Sequence, residues 1–208
     1  MPSFKLKVCG MRDHTNILDV ASAAIDFMGF IFYKASLRYV GEGFSIPDGL
    51  CPSIKKVGVF VNEEVDVIDD LVIKHQLDFV QLHGDESPAQ CQKLKEKGIG
   101  VIKVFSVDND FDFSTTNTYQ PHVDYFLFDT KGKSRGGNGI AFNWSVLEKY
   151  KGTTPFFLSG GIDPDNVNDV LRLNHEQLFA IDVNSGIESA PGSKDLSKLS
   201  LLIKNFKV

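Results

Sequence analysis

Eight short runs of apolar, β-prone residues recur along the chain at intervals of a little over twenty to about thirty residues, and this repetition limits the fold more than any other feature. The runs are FKLKVC, IDFMGFIFY, IKKVGVFV, DFVQLH, GVIKVF, DYFLFD, PFFLSG and FAIDV. Their apolar character is near-continuous rather than strictly alternating, the pattern of strands buried on both faces and hence of a parallel sheet. Polar turns and helical stretches separate them, so each run opens a strand–helix unit. Eight such units in 208 residues predict a (β/α)8 TIM barrel, parallel and eight-stranded, near the lower size limit of that architecture. Without a linker or low-complexity tract, residues 1–208 read as one domain. A doubly wound open sheet is the alternative. It would want a glycine fingerprint at the first turn, and CGMRDH lacks the G-x-G-x-x-G spacing.

The intervening helices carry legible punctuation. Ser87 predicts a helix cap, with Pro88 at the first helical position and Gly98 as the stop. Ile17, Val20, Ala21 and Ala24 share one helical face. Asp163 is read as a cap with Pro164 after it, and Val167, Val170 and Leu171 as an inner face. Leu196, Leu199, Leu202, Ile203 and Phe206 form a last apolar stripe. The segment VGEGFSIPDGLCPS differs: its prolines, glycines and weak periodicity predict an irregular second helix.

Composition narrows the function. A net charge of −5 with no basic block argues against a nucleic-acid or anionic-membrane partner. A small anion is still compatible, because backbone amides hold phosphate without net positive charge. No apolar run is long enough to span a bilayer and the N-terminus lacks a signal-peptide profile, so a cytoplasmic location is expected. Three widely spaced cysteines, Cys9, Cys51 and Cys91, suit neither a disulfide framework nor a zinc cluster. Cys9 is therefore expected to be a free thiol, and no metal or cofactor is expected.

In a barrel the C-terminal ends of the strands converge on one face, where an active site is built. The first strand delivers Cys9 there, and the second leads to Arg38. The fourth delivers Gln81 and His83, the sixth Asp129, the seventh Ser159 to Gly161, and the eighth Asp182 followed by NSG. The glycine loops at Gly160–Gly161 and Ser185–Gly186 fall where barrels often hold phosphate, beside a short extra helix after the eighth strand. A glycine pair that merely permits a tight turn is the plainer alternative for each. Cys9 and Asp129 would face one another across the pocket. A free thiol with a pKa of about 8.5 is a few per cent thiolate at neutral pH, and nearby positive charge would raise that fraction. A carboxyl near about 3.9 serves as an acid only where burial or negative neighbours raise it. Such a pair suits proton relocation within one substrate. Arg38 could hold a carboxylate through its planar fork. Each has a structural alternative: Cys9 as packing, Asp129 as a turn cap, Arg38 as a surface charge, His83 as a turn-closing residue. Cys51 and Cys91 read as spectators, Cys91 with Leu94 on a buried helix face.

Taken in order, KVCGMRD, MGFIFYKASLRYV, VGVFVNE, VQLHGDE, FDTKGKSRGGNGIAFNW, LSGGIDPDNV and DVNSGIESAPGSKD resemble the segments of the phosphoribosylanthranilate isomerases, a tryptophan-pathway family, from about Lys5 to Lys204. The resemblance implies a (β/α)8 fold and an Amadori rearrangement of a phosphorylated aminosugar, N-(5-phosphoribosyl)anthranilate, without cofactor or metal. It further implies Cys9 as general base, Asp129 as general acid and Arg38 as the holder of the anthranilate carboxylate. Gly160, Gly161, Ser185 and Gly186 match the phosphate cradle, and Asp182 lines the same pocket; Gln81 and His83 are candidate substrate contacts from their place at the end of the fourth strand alone. Leu37 stands where the family often has proline, which implies a less rigid loop for Arg38, and Asn143 stands where aspartate is common. A monomer or homodimer is expected. Other readings weighed are a pentose-phosphate epimerase, which would need metal-binding histidines at strand ends, and an indoleglycerol-phosphate synthase, which would need a lysine at the mouth. A non-catalytic phosphosugar-binding module would leave Cys9 as packing.

Overall fold

The computed structural model describes residues 4–130 and 144–206. A strand that is apolar on both sides needs cover on both sides, and barrel closure provides it. The strands are β1 (Lys5–Val8), β2 (Phe27–Ile31), β3 (Lys55–Phe60), β4 (Phe79–Leu82), β5 (Gly100–Val107), β6 (Tyr125–Thr130), β7 (Phe156–Ser159) and β8 (Leu178–Val183). They pair in chain order, all parallel, and β8 returns to β1, so the sheet is a closed barrel rather than an open one.

Side chains alternate between the two faces of each strand. Phe27, Val57, Ile102, Val104, Leu127, Phe157 and Ala180 form one buried cluster, on the inner face. Aromatic rings close its floor: Phe27 and Phe157 lie 5.2 Å apart and Tyr125 stacks on Phe179 at 4.6 Å. One inward step further along the strands, Leu127 gives way to Asp129 and Ala180 to Asp182. The change from packing to polar chemistry thus occurs within a single strand repeat. The outward faces join the larger core cluster beneath the helices.

The helical layer is thinner than eight repeated units imply. Helices α1 (His14–Ala21), α2 (Val65–His75), α3 (Pro88–Glu96), α4 (Val167–Leu171) and α5 (Leu196–Phe206) follow β1, β3, β4, β7 and β8. The link from β2 to β3 has no helix, in line with its prolines and glycines; Phe44 fills the space, 5.6 Å from Phe30 and 5.8 Å from His75. After β5 come only 3₁₀ turns, Phe113–Thr118 and Gln120–His122. Threonines and a proline make poor helix there, and Phe113 is held instead by Phe111 at 5.0 Å and Phe128 at 5.4 Å. Trp144–Lys149 is also 3₁₀, while Asn143 and the TKGKSRGG loop beyond Thr130 lie outside the described residues.

Ser87 caps α3 in a reciprocal box with Gln90, with Pro88 at its start. Two boundaries differ from the sequence reading. Helix α1 ends at Ala21, where Ser22 Oγ donates to the Asp19 carbonyl at 2.6 Å, so Ala24 lies beyond it and is exposed. Helix α4 starts at Val167 because Asp163 accepts the amides of Asp165 and Asn166, capping a turn that precedes the helix. In α5, Leu199 and Leu202 are buried but Leu196 is largely exposed, and the Phe206 side chain is outside the described residues. Between β8 and α5 a small antiparallel hairpin is inserted, β9 (Glu188–Ala190) and β10 (Ser193–Lys194).

Candidate active site

At the C-terminal ends of the strands a cavity of about 200 Å³ is lined by Cys9, Gln81, His83, Asp129, Asp182 and the loops at Ser159–Ile162 and Asn184–Gly186. A larger hollow of about 610 Å³ beside Leu50, Cys51 and Lys74 lies by the residues that lead into β3 and β4, at the opposite ends of those strands. The smaller cavity is the one that gathers the sequence-derived residues.

Cys9 follows β1 directly, its amide still bonded to the Val183 carbonyl at 2.9 Å. Its side chain is almost fully buried yet lines the cavity, and Gly29 on β2 leaves the sulfur its space, since a Cβ there would stand 2.7 Å from Sγ. Burial pushes the Cys9 thiol above its ordinary range. Lys7 and Lys194 pull it back only in part, and the Asp182 charge adds to the rise. The gain in thiolate expected from nearby cations is thus outweighed by desolvation.

Lys7 was not among the residues expected at the site. It sits one inward position below Cys9, has no exposed surface, and donates to Asp182 Oδ2 at 2.9 Å. Burial would pull its ammonium down, but Asp182 and Cys9 raise it above its ordinary value. Burial likewise pushes Asp182 up against the pull of Lys7. Asp182 Oδ1 and Gln81 Oε1 are buried with no hydrogen-bond partner among the described residues. Two unfilled acceptors lining one cavity are what a hydroxyl-bearing ligand would meet.

Asp129, the last residue but one of β6, is in register with Ser106 and Ser159, and its side chain is one-third exposed on the cavity. His83 stands next to it, Nε2 to Oδ2 at 3.7 Å, and Gln81 Nε2 is 3.1 Å from His83 Nδ1. With the amide as donor, Nδ1 accepts and the ring proton resides on Nε2, facing Asp129. The His83 amide closes the turn onto the Phe60 carbonyl at 2.8 Å while its ring lines the cavity.

Gly160 and Gly161 turn with φ of +108° and +64°, a conformation that side chains resist. Gly186 is required by close approach: a Cβ there would meet the Ile162 carbonyl oxygen at 2.1 Å. The loops after β7 and β8 are consequently packed against each other, and the short extra helix expected after the eighth strand is the 3₁₀ turn Ser185–Ile187.

Arg38 lies in the β2–β3 link, beside the cavity lining rather than in it. Its stem crosses Gly10, whose hypothetical Cβ would stand 2.8 Å from both Arg38 Cδ and Asn184 Oδ1. Glu188 holds its guanidinium, with Nε to Oε1 at 2.9 Å and Nη2 to Oε2 at 2.6 Å. Glu188 and Lys194 are further residues the sequence reading did not single out. Lys103 is turned away from the cavity, donating to Glu86 at 2.9 Å and to the Gly84 carbonyl at 2.7 Å. A synthase-type lysine at the mouth is not found in it.

Among the described residues no helix is long and apolar enough to cross a membrane. The family model of N-(5'-phosphoribosyl)anthranilate (PRA) isomerase matches residues 6–205. The N-(5'-phosphoribosyl)anthranilate isomerase of Parabacteroides distasonis is 46% identical over 204 residues, 97% of this chain and 90% of its own. The solved phosphoribosyl anthranilate isomerase of Thermotoga maritima has a TM-score of 0.84 at 36% identity, over 98% of both chains. A phosphoribosyl anthranilate isomerase solved in complex with reduced 1-(o-carboxyphenylamino)-1-deoxyribulose 5-phosphate has a TM-score of 0.83 at 35% identity, again over 98% of both. With a closed eight-stranded barrel, this cavity at its mouth and likeness over almost its whole length, the chain belongs to the N-(5'-phosphoribosyl)anthranilate isomerase family and is an isomerase.

Proposed function

We propose that the chain converts N-(5-phosphoribosyl)anthranilate to 1-(2-carboxyphenylamino)-1-deoxyribulose 5-phosphate, with Asp129 as general acid and Cys9 as general base. Asp129 gives its proton to the furanose ring oxygen. The C1–O bond then breaks and the anthranilate nitrogen lone pair forms the C1=N bond. The Cys9 thiolate takes the proton from C2, and those electrons return toward nitrogen to give the enolamine. Transfer of the C2 hydroxyl proton to C1 yields the ketone, and exchange with solvent returns Cys9 and Asp129 to their starting forms. The sequence is an isomerisation: one proton leaves the protein, one arrives, and no electrons are exchanged with a partner.

The observation that carries this reading is the convergence of a thiol, a carboxyl group and two unfilled buried acceptors on one cavity. Asp182 and Gln81 are assigned to the sugar hydroxyls, and His83 to holding Asp129 and meeting the substrate beside it. The phosphate is assigned to Ser185 and Gly186, which open a 3₁₀ turn whose first N–H groups have no acceptor within it, and to the backbone at Gly160 and Gly161 on the loop packed against it. Arg38 is assigned to the anthranilate carboxylate.

Turnover of freshly made phosphoribosylanthranilate, followed by its fluorescence with a metal chelator present, tests the assignment. Cys9→Ala and Asp129→Asn should each lose about 10²–10⁴ in kcat while inorganic phosphate still binds. Near-normal turnover in either variant rejects that residue's role. Arg38→Ala should mainly raise KM.

A further inference from the structure

Glu188 takes up Arg38 along only one side. Both of its oxygens lie on the Nε–Nη2 edge, at 2.9, 3.1 and 2.6 Å, while Nη1 and the outer edge it shares with Nη2 have no partner among the described residues. An arginine fork has two edges able to take a carboxylate. Here one is used by the protein and the other is left open; the stem behind it passes Gly10 next to Asn184, which lines the cavity together with Cys9.

The carboxylate that holds Arg38 is itself tightly supported. Lys194 Nζ, fully buried, donates to Glu188 Oε1 at 2.7 Å and to Asn184 Oδ1 at 2.7 Å. The Gly192 amide donates to Glu188 Oε1 at 3.0 Å across the hairpin turn. The hairpin is anchored in turn to α1, where Asn16 exchanges two hydrogen bonds with the Lys194 backbone at 2.9 and 2.8 Å. Burial would raise the Glu188 carboxyl, but the bonds from Arg38 and Lys194 hold it down to about 2, so it is charged at every working pH. Leu37, next to Arg38, is three-quarters exposed, and the loop's own bond from Arg38 is made by the backbone amide, to Ser36 Oγ at 3.1 Å, not by the guanidinium. The guanidinium is therefore held by the hairpin after β8 rather than by its own loop.

We propose that Glu188 is a positioning residue that sets specificity: by engaging the inner edge of Arg38 it presents the outer edge to the carboxylate of the substrate's aromatic amine. This rests on the assignment of Arg38 to that carboxylate. Arg38 and Lys194 share the single negative charge of Glu188, so the group as a whole keeps a net positive charge toward the ligand.

The test is binding of two product analogues by calorimetry, the reduced 1-(o-carboxyphenylamino)-1-deoxyribulose 5-phosphate and its phenylamino counterpart without the carboxyl, alongside KM and kcat. Glu188→Gln should weaken the carboxylated analogue about tenfold and raise KM similarly, leaving kcat and the second analogue's Kd nearly unchanged. In an Arg38→Ala background the same change should have no further effect on the ratio of the two Kd values. If Arg38→Ala lowers that ratio and Glu188→Gln does not, the positioning role is wrong and the Arg38 assignment stands. If Arg38→Ala leaves the ratio unchanged, the Arg38 assignment itself is wrong. Equal weakening of both analogues by Glu188→Gln marks a merely structural role and overturns the proposal. Should the glutamine variant not fold, Glu188→Asp keeps the charge on a shorter stem and must narrow the same ratio.

Discussion

The barrel wall carries two buried lysine–carboxylate pairs, one on each side. Outside it, Lys103 meets Glu86, with side chains 3% and 1% exposed. Inside it, Lys7 meets Asp182, with side chains 0% and 5% exposed. Their burial is nearly equal, but their bonding is not. Lys103 also donates to two carbonyls, and both oxygens of Glu86 accept backbone amides from Asn62 and Gly84. That pair is saturated and ties the loops after β3 and β4 together. Asp182 keeps one oxygen unbonded, as does Gln81, and both residues line the cavity. Unfilled buried polar atoms cost free energy, so they persist where a ligand completes them. Saturation distinguishes the two ion pairs here, where burial does not.

Substitution of each lysine breaks the comparison in a different observable. Lys103→Met should lower stability by about 3–5 kcal/mol, because Glu86 is left charged and uncompensated in the wall. Urea denaturation reads this, and the folded fraction should keep its kcat. Lys7→Met leaves Asp182 uncompensated in the same way, and should in addition act on rate. Removing the nearest cation raises the Cys9 thiol further, and each unit of rise costs about tenfold in thiolate and in kcat/KM at neutral pH. The pH profile sharpens the point. A base that works as thiolate gains activity as pH rises, so with Cys9 raised by burial the wild-type kcat/KM should climb from neutral into alkaline pH. In Lys7→Met that limb should move to higher pH; an unmoved limb would divorce Lys7 from the thiol. The smallest effect belongs to the saturated side. Ser87→Ala removes the cap adjoining Glu86 and should cost about 1 kcal/mol in stability with kcat unchanged.

Much of this architecture is written locally. Strands apolar on both faces are readable because their short runs are bounded by turn residues and rich in β-branched and aromatic residues, and Ser87–Pro88 with Gly98 is readable because caps act within one turn. The helix boundaries at Ala21 and Val167 were less legible, since a side chain such as Ser22 or Asp163 can bond either a helix end or the turn next to it. Cys9 and Asp129 could be placed at the mouth by position alone, as residues at strand ends. Lys7 could not. A lysine in an apolar run looks like an outward position until closure sets β1 against β8 and brings in Asp182, 175 residues away.

By itself the sequence determined the eight strands, their parallel sense and the set of polar residues at their ends, because these follow from periodicity and from chemistry within a few residues. Only the tertiary structure decided which of those groups are left unsatisfied, which cation lies beneath Cys9, and which acid orients Arg38. Those outcomes depend on burial and on partners far apart in the chain, and electrostatics at such a site is set by what surrounds a group after the barrel has closed.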